Sequence, residues 1–115
     1  MTSGNLIIDL TFQFSKEIIA YSGKLDELRK YSLSKQLFRS GTSIGANTRE
    51  AQFSESKNDF IHKLKIAEKE AAETEYWLLL CKESTDYPEP GNLLEKIDHI
   101  KKTLGKIIRS AKNNR

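Results

Sequence analysis

The sequence predicts an all-α protein of the four-helix-bundle class, with one domain spanning residues 1–115. Three observations carry that expectation. Apolar residues recur at steps of three and four along four separate segments, which is the period of a helix with one buried face. Two prolines and a glycine are concentrated in one stretch, Pro88, Pro90 and Gly91, so breaks between helices are few. The length, 115 residues, suffices for one hydrophobic core and is too short for two. With 37% apolar and 30% charged residues, the chain is rich enough in Leu, Ile and Phe to fold and too mixed in charge to stay disordered.

The first helix is expected from Leu6 to Ser22, where Ile7, Leu10, Phe14, Ile18 and Tyr21 line one face and Gly23 offers a stop. A second stripe of Ile8, Phe12 and Ile19 lies well around the same cylinder and would stay wet in a helix packed on one side only. It is therefore assigned to an oligomer interface. Lys24 to Ser32 is expected to be a connector or a frayed extension.

The second helix is expected over 33–53, with Leu33, Leu37, Ser40, Ile44, Asn47 and Ala51 pointing inward. Its face is unusually polar, and Gly41 and Gly45 each disfavour a helix by about 1 kcal/mol relative to alanine. Close packing through small residues explains this composition, with Ser40, Asn47, Glu50 and Glu73 of the third helix forming a buried polar network. A ligand or nucleic-acid contact is the sharper alternative. Gly41-Thr42-Ser43-Ile44-Gly45 is not a phosphate loop, because no strand precedes it and no lysine-threonine or lysine-serine pair follows.

The third helix is expected over 57–82, opened by a capping box, Ser56-Lys57-Asn58-Asp59, with Asp in the usual Glu position. Phe60, Leu64, Ala67, Ala71, Thr74, Leu78 and Cys81 follow alternating steps of four and three without a break, the seam that helix bundles bury. Its end, Tyr76-Trp77-Leu78-Leu79-Leu80-Cys81, is apolar all the way round, which sets Tyr76 and Trp77 against another subunit. After the loop at 85–91, Asn92 with Glu95 three residues on reads as the cap of the fourth helix, 92–111, whose stripe is Leu93, Ile97, Ile100, Leu104, Ile107 and Ala111.

No constellation supports catalysis or metal binding. A di-iron bundle requires inward Glu-x-x-His pairs on two helices and inward Glu on the other two. Asp59 and His62 have that spacing, but Phe60 and Leu64 define the inward face. His99 follows Glu95 by four residues, and Ile97 and Ile100 take the core positions. Both histidines fall on solvent faces, and the lone Cys81 sits in an apolar run, which suits an ordinary buried thiol. The expectation is no catalytic residue, no metal and no cofactor. Met1-Thr2-Ser3-Gly4-Asn5 lacks the basic region and apolar run of a secretory signal, and no segment approaches about eighteen consecutive apolar residues. The expected location is cytoplasmic, with no membrane partner.

Charge is unevenly laid out. Residues 92–115 hold seven Lys/Arg against two acids, whereas 66–90 hold seven acids against two lysines, on a chain of net charge +3. Lys102, Lys106 and Arg109 stack on one face of the fourth helix, with Lys101, Lys112 and Arg115 nearby, an array suited to phosphate-backbone contact. The plainer reading is a solvated surface partly neutralised by the acidic third helix.

The run Leu33-Ser34-Lys35-Gln36-Leu37-Phe38-Arg39-Ser40-Gly41-Thr42-Ser43-Ile44-Gly45-Ala46-Asn47, followed by Glu50-Ala51, resembles the proteins encoded in the intervening sequences of bacterial 23S rRNA genes. Ser56-Lys57-Asn58-Asp59-Phe60-Ile61-His62-Lys63-Leu64-Lys65-Ile66-Ala67, then Lys69-Glu70-Ala71 and Glu73-Thr74-Glu75-Tyr76-Trp77-Leu78, is similar to the third helix of that family. Thr48-Arg49 departs from it, where a more apolar or acidic pair is expected, and adds positive charge beside Asn47. The resemblance implies an antiparallel up-down bundle that assembles into a homopentameric ring, and a relationship to the basic pentameric accessory proteins of diversity-generating retroelements. It implies no enzymatic activity.

The leading functional expectation is a non-enzymatic pentamer that binds RNA or DNA or acts as a scaffold, with Arg39, Arg49, Lys101, Lys102, Lys106, Arg109 and Lys112 as contacts. The alternative is an adaptor that docks a protein partner through apolar surface near Phe38, Tyr76 and Trp77. A third, an enzyme with a polar site around Asn47, Glu50 and Glu73, requires a cavity beside those residues.

Overall fold

A computed structural model describes residues 3–114, so the readings that involve Met1, Thr2 and Arg115 lie outside the described residues. Four helices follow one another: α1 (Leu6–Glu27), α2 (Tyr31–Ala51), α3 (Lys57–Glu83) and α4 (Leu93–Asn113). Among the described residues there is no strand. Each helix packs on its neighbours in sequence, and α1 also packs on α4, in a body of 50 × 25 × 21 Å.

The core is the sum of four apolar stripes. Phe14, Ile18 and Leu25 of α1 meet Leu37 and Ile44 of α2, Leu64 and Leu78 of α3, and Ile97, Ile100 and Leu104 of α4, all at 1% exposure or less. Every seam position expected on α3 except the half-buried Phe60 is buried, Cys81 included. The small Ala67 and Ala71 on that seam let neighbouring helices come close.

Helix α1 runs past Gly23 to Glu27, a correction of the expected stop and of the connector at 24–32. Leu25 continues the stripe at 0% exposure, and burying it outweighs the local cost of one glycine. The helix ends where Arg29 enters the left-handed region at φ 61° and the Lys30 amide donates to the Leu25 carbonyl at 2.8 Å.

On α2 the inward set is Ser34, Leu37, Ser40, Gly41, Ile44, Thr48 and Ala51. Thr48, not Asn47, takes the core position, and its hydroxyl donates to the Ile44 carbonyl at 2.7 Å, so the group is buried without an orphan donor. Leu33 is half-buried. The register follows from α1: Ile18 lies over Gly41, and the Thr11 backbone and Ser15 lie over Gly45. On α4 the last core position is Ile108, with Ile107 and Ala111 half-buried, because the step from Leu104 is four residues and not three.

Ser56 caps α3 as expected, accepting from the Asp59 amide at 3.0 Å, while Asp59 reaches back to the Glu55 amide. Asn92 does not cap α4. Its backbone is helical at φ −70°, and its side chain makes no capping bond, so α4 begins at Leu93.

Candidate nucleic-acid interface

Helix α4 turns Leu93, Ile97, Ile100, Leu104 and Ile108 into the core, and the 3.6-residue period sends Lys102, Lys106 and Arg109 to the opposite side. All three are exposed. Lys106 and Arg109 form no salt bridge among the described residues, while Lys102 pairs with Asp98 one turn earlier at 2.9 Å. The hydrogen bond from Lys102 holds the Asp98 carboxyl below the usual carboxylate range. That pair is fully solvated and competes weakly with an incoming phosphate.

The other expected cations are placed differently. Lys101 is half-buried on the flank of α4 and reaches Glu75 of α3 at 2.8 Å. Arg39 of α2 is held by Glu70 at 3.1 Å and by Glu73, two carboxylates of α3. Both are thus cross-links between helices, and Arg39 remains exposed while it makes its ion pairs. Arg49 is exposed and stands over the α1–α2 groove, lined by Thr11, Phe12, Ser15 and Gly45, away from the α4 stripe. Lys112 is exposed at the end of α4 near Lys65 of α3, a cation that the sequence reading did not single out.

The expected buried polar network is not one network. Ser40 is fully buried with its hydroxyl 2.8 Å from that of Thr74, which also lies 2.8 Å from the Glu70 carbonyl. Asn47 spends its amide on the Ser43 carbonyl within α2, at 2.9 Å. Glu50 is exposed and paired with Lys63 at 3.1 Å. Glu73 instead joins Arg39 and accepts from the Trp77 indole at 3.1 Å. Asn47, Glu50 and Glu73 therefore do not converge, and the arrangement that an enzyme would need there is not formed. Thr74 is the partner that was missed: its place on the α3 seam was legible, but its match to Ser40 depends on how α2 and α3 align.

Of the residues assigned to subunit contacts, Ile8 is a correction. It is 7% exposed, most of its surface being used within the chain beside the α1–α2 groove. Trp77 is half-buried, tied to Glu73 and packed on the core. Phe12, Ile19 and Tyr76 are exposed, together with Phe38, Leu79 and Leu80. Both histidines are exposed. Among the described residues no group of three or more His, Cys, Asp or Glu is placed to hold a metal, and no helix is long and apolar enough to cross a membrane.

The family model described as 23S rRNA-intervening sequence protein matches residues 5–106. A crystal structure of a protein with unknown function from the S23 ribosomal protein family of Bacteroides thetaiotaomicron has the same fold, with a TM-score of 0.83 and 42% sequence identity over 90% of this chain and 98% of that one. No curated protein matches the chain significantly.

Proposed function

Because the chain belongs to the 23S rRNA-intervening sequence protein family, we propose that it is a non-enzymatic, oligomeric, cytoplasmic four-helix bundle that binds nucleic acid through the outward face of α4. The observation that carries this reading is the solvent-facing row Lys102, Lys106 and Arg109, of which the last two have no carboxylate partner among the described residues. At 1.5 Å of rise per residue the row is about 10 Å long, with cations at each turn, and cations so placed neutralise phosphates and release their counterions. Charge reversal at all three positions tests it. The triple variant should keep its melting temperature and lose retention on RNA and duplex DNA; undiminished retention would refute the reading.

The helices are proposed to run in antiparallel up-down order. Links of a few residues support this, as does the reach of Tyr21, late in α1, to the Pro88 carbonyl between α3 and α4, and of Lys57, at the start of α3, to the Asn114 carbonyl at the end of α4. The subunits are proposed to close into a homopentameric ring through apolar surface. Phe12, Ile19 and Phe38 lie on α1 and α2, and Tyr76, Leu79 and Leu80 on α3, so two different patches are available for a head-to-tail contact. Repetition of the α4 row around a ring would multiply its field.

One observation favours a second reading, a protein-interaction adaptor. Leu33, Trp77, Leu80 and Tyr87 line an open apolar groove between α2 and the end of α3. On that reading Trp77→Ala removes binding of a protein partner, and the α4 charge reversal does not.

A further inference from the structure

Where α3 begins and α4 ends, the bundle leaves an apolar groove open. The last core position of α4 is Ile108, so Ile107 and Ala111, at the edge of the same stripe, stay half-buried, as does Phe60 at the start of the α3 seam. Phe60, Lys106, Ile107, Ser110, Ala111 and Asn114 line a groove of about 450 Å³, a size within the range of small-ligand clefts. No carboxylate is among these lining residues. Two cations flank the apolar floor instead. Lys106 lines the groove and belongs to the exposed α4 row, while the Lys57 ammonium donates to the carbonyl of Asn114. Neither forms a salt bridge among the described residues. The exposed apolar residues proposed above to join subunits do not line this groove.

We propose that this groove seats one unstacked base of a single-stranded nucleic acid, with Phe60 against the face of the base and Lys106 and Lys57 against the adjoining phosphates. The proposal rests on the nucleic-acid reading above and narrows its partner to a single strand. Bases inside a duplex spend both faces on their neighbours in the stack. A single strand has a face to spare, and an aromatic side chain beside cations that track the backbone is the arrangement that takes it. The aliphatic side chains of Ile107 and Ala111 extend the apolar surface that such a base would cover. Lys106 joins the two parts of the surface, since the same side chain stands in the row on α4 and in the wall of the groove.

The test titrates the full chain, over a range of salt, with a single-stranded oligoribonucleotide, an abasic strand of the same length and a duplex. Wild type is compared with Phe60→Leu, which keeps an apolar side chain and removes the ring, and with Phe60→Tyr, which keeps the ring. Wild type should bind the strand that carries bases more tightly than the abasic one. Phe60→Leu should lower affinity for that strand by about 5-fold or more with no change in salt slope, and Phe60→Tyr should restore it. Lys106→Ala should instead reduce the slope of log affinity against log salt by about 0.7. If all three nucleic acids bind with salt dependence and Phe60→Leu affects none of them, the base site is refuted while the α4 reading stands. If no nucleic acid is retained at any salt, the α4 reading fails and the base site with it. If Phe60→Leu lowers the mass found by light scattering, the groove joins copies of the chain and the base site is overturned.

Discussion

A methyl group at Gly41 would lie 2.7 Å from Cγ2 and 2.9 Å from Cγ1 of Ile18, a fully buried side chain with nowhere to move. Gly23 faces solvent, with nothing within 4 Å of the same added atom. The two glycines therefore respond oppositely to alanine. Gly23→Ala should stabilise the protein by about 1 kcal/mol through helix propensity. Gly41→Ala should destabilise it by about 1–2 kcal/mol, since overpacking outweighs the same gain. Urea denaturation checks both, and equal effects would contradict the α1–α2 approach described. Tyr21 is buried, donates to the Pro88 carbonyl at 2.5 Å and lies beside Cys81; burial first, then Cys81, pushes the phenol pKa well up, and burial raises the thiol also. Both groups are held neutral in the folded state, so their contribution is complete below the unfolded pKa values and falls as pH rises above about 9–10, by up to about 1.4 kcal/mol per unit for each group. Tyr21→Phe should flatten the alkaline limb of a stability profile, and a limb unchanged by that substitution would remove Tyr21 as its source.

The helix ends divide into those with a side-chain device and those without. Ser56 makes its capping bond to Asp59, so Ser56→Ala should cost about 1 kcal/mol. Asn92 makes none, and Asn92→Ala should be neutral within about 0.5 kcal/mol. A comparable loss at both positions by thermal or chemical unfolding would show that α4 is capped in a way this geometry lacks. The same contrast explains what could be read in advance. The α3 seam was legible because its steps of four and three run unbroken from Phe60 to Cys81, so the register set among the polar residues before Thr74 carries through the apolar end. On α4 both Ile107 and Ile108 are apolar, and only the packing selects the second. On α2 the choice of Thr48 over Asn47 is made by contacts of Gly41 and Gly45 with α1, which no local pattern contains. The end of α1 was hidden because Arg29, not a glycine, occupies its left-handed position.

At the scale of the whole molecule, the basic row was visible as composition, but its division into free and paired cations was not. Arg39 meets Glu70 and Glu73, and Lys101 meets Glu75, across sequence separations that only the packing of the helices brings together. Phe12, Ile19 and Phe38 on α1 and α2, and Tyr76, Leu79 and Leu80 on α3, are left exposed by the packing of one chain and supply the apolar surface that the proposed assembly would cover. On the proposed pentameric assembly, light scattering should give five times the 13.2 kDa of one chain. A monomeric mass would show that these patches do not join copies of the chain.

The measurement that bears most directly on the functional account is a filter-binding titration with RNA and with duplex DNA at two salt concentrations, about 50 mM and about 200 mM. Three phosphate contacts per subunit predict a loss of affinity of about 40-fold across that interval, and more if several subunits engage one strand. Absent binding, or binding that salt leaves unchanged, would contradict the assignment of the α4 face to nucleic acid.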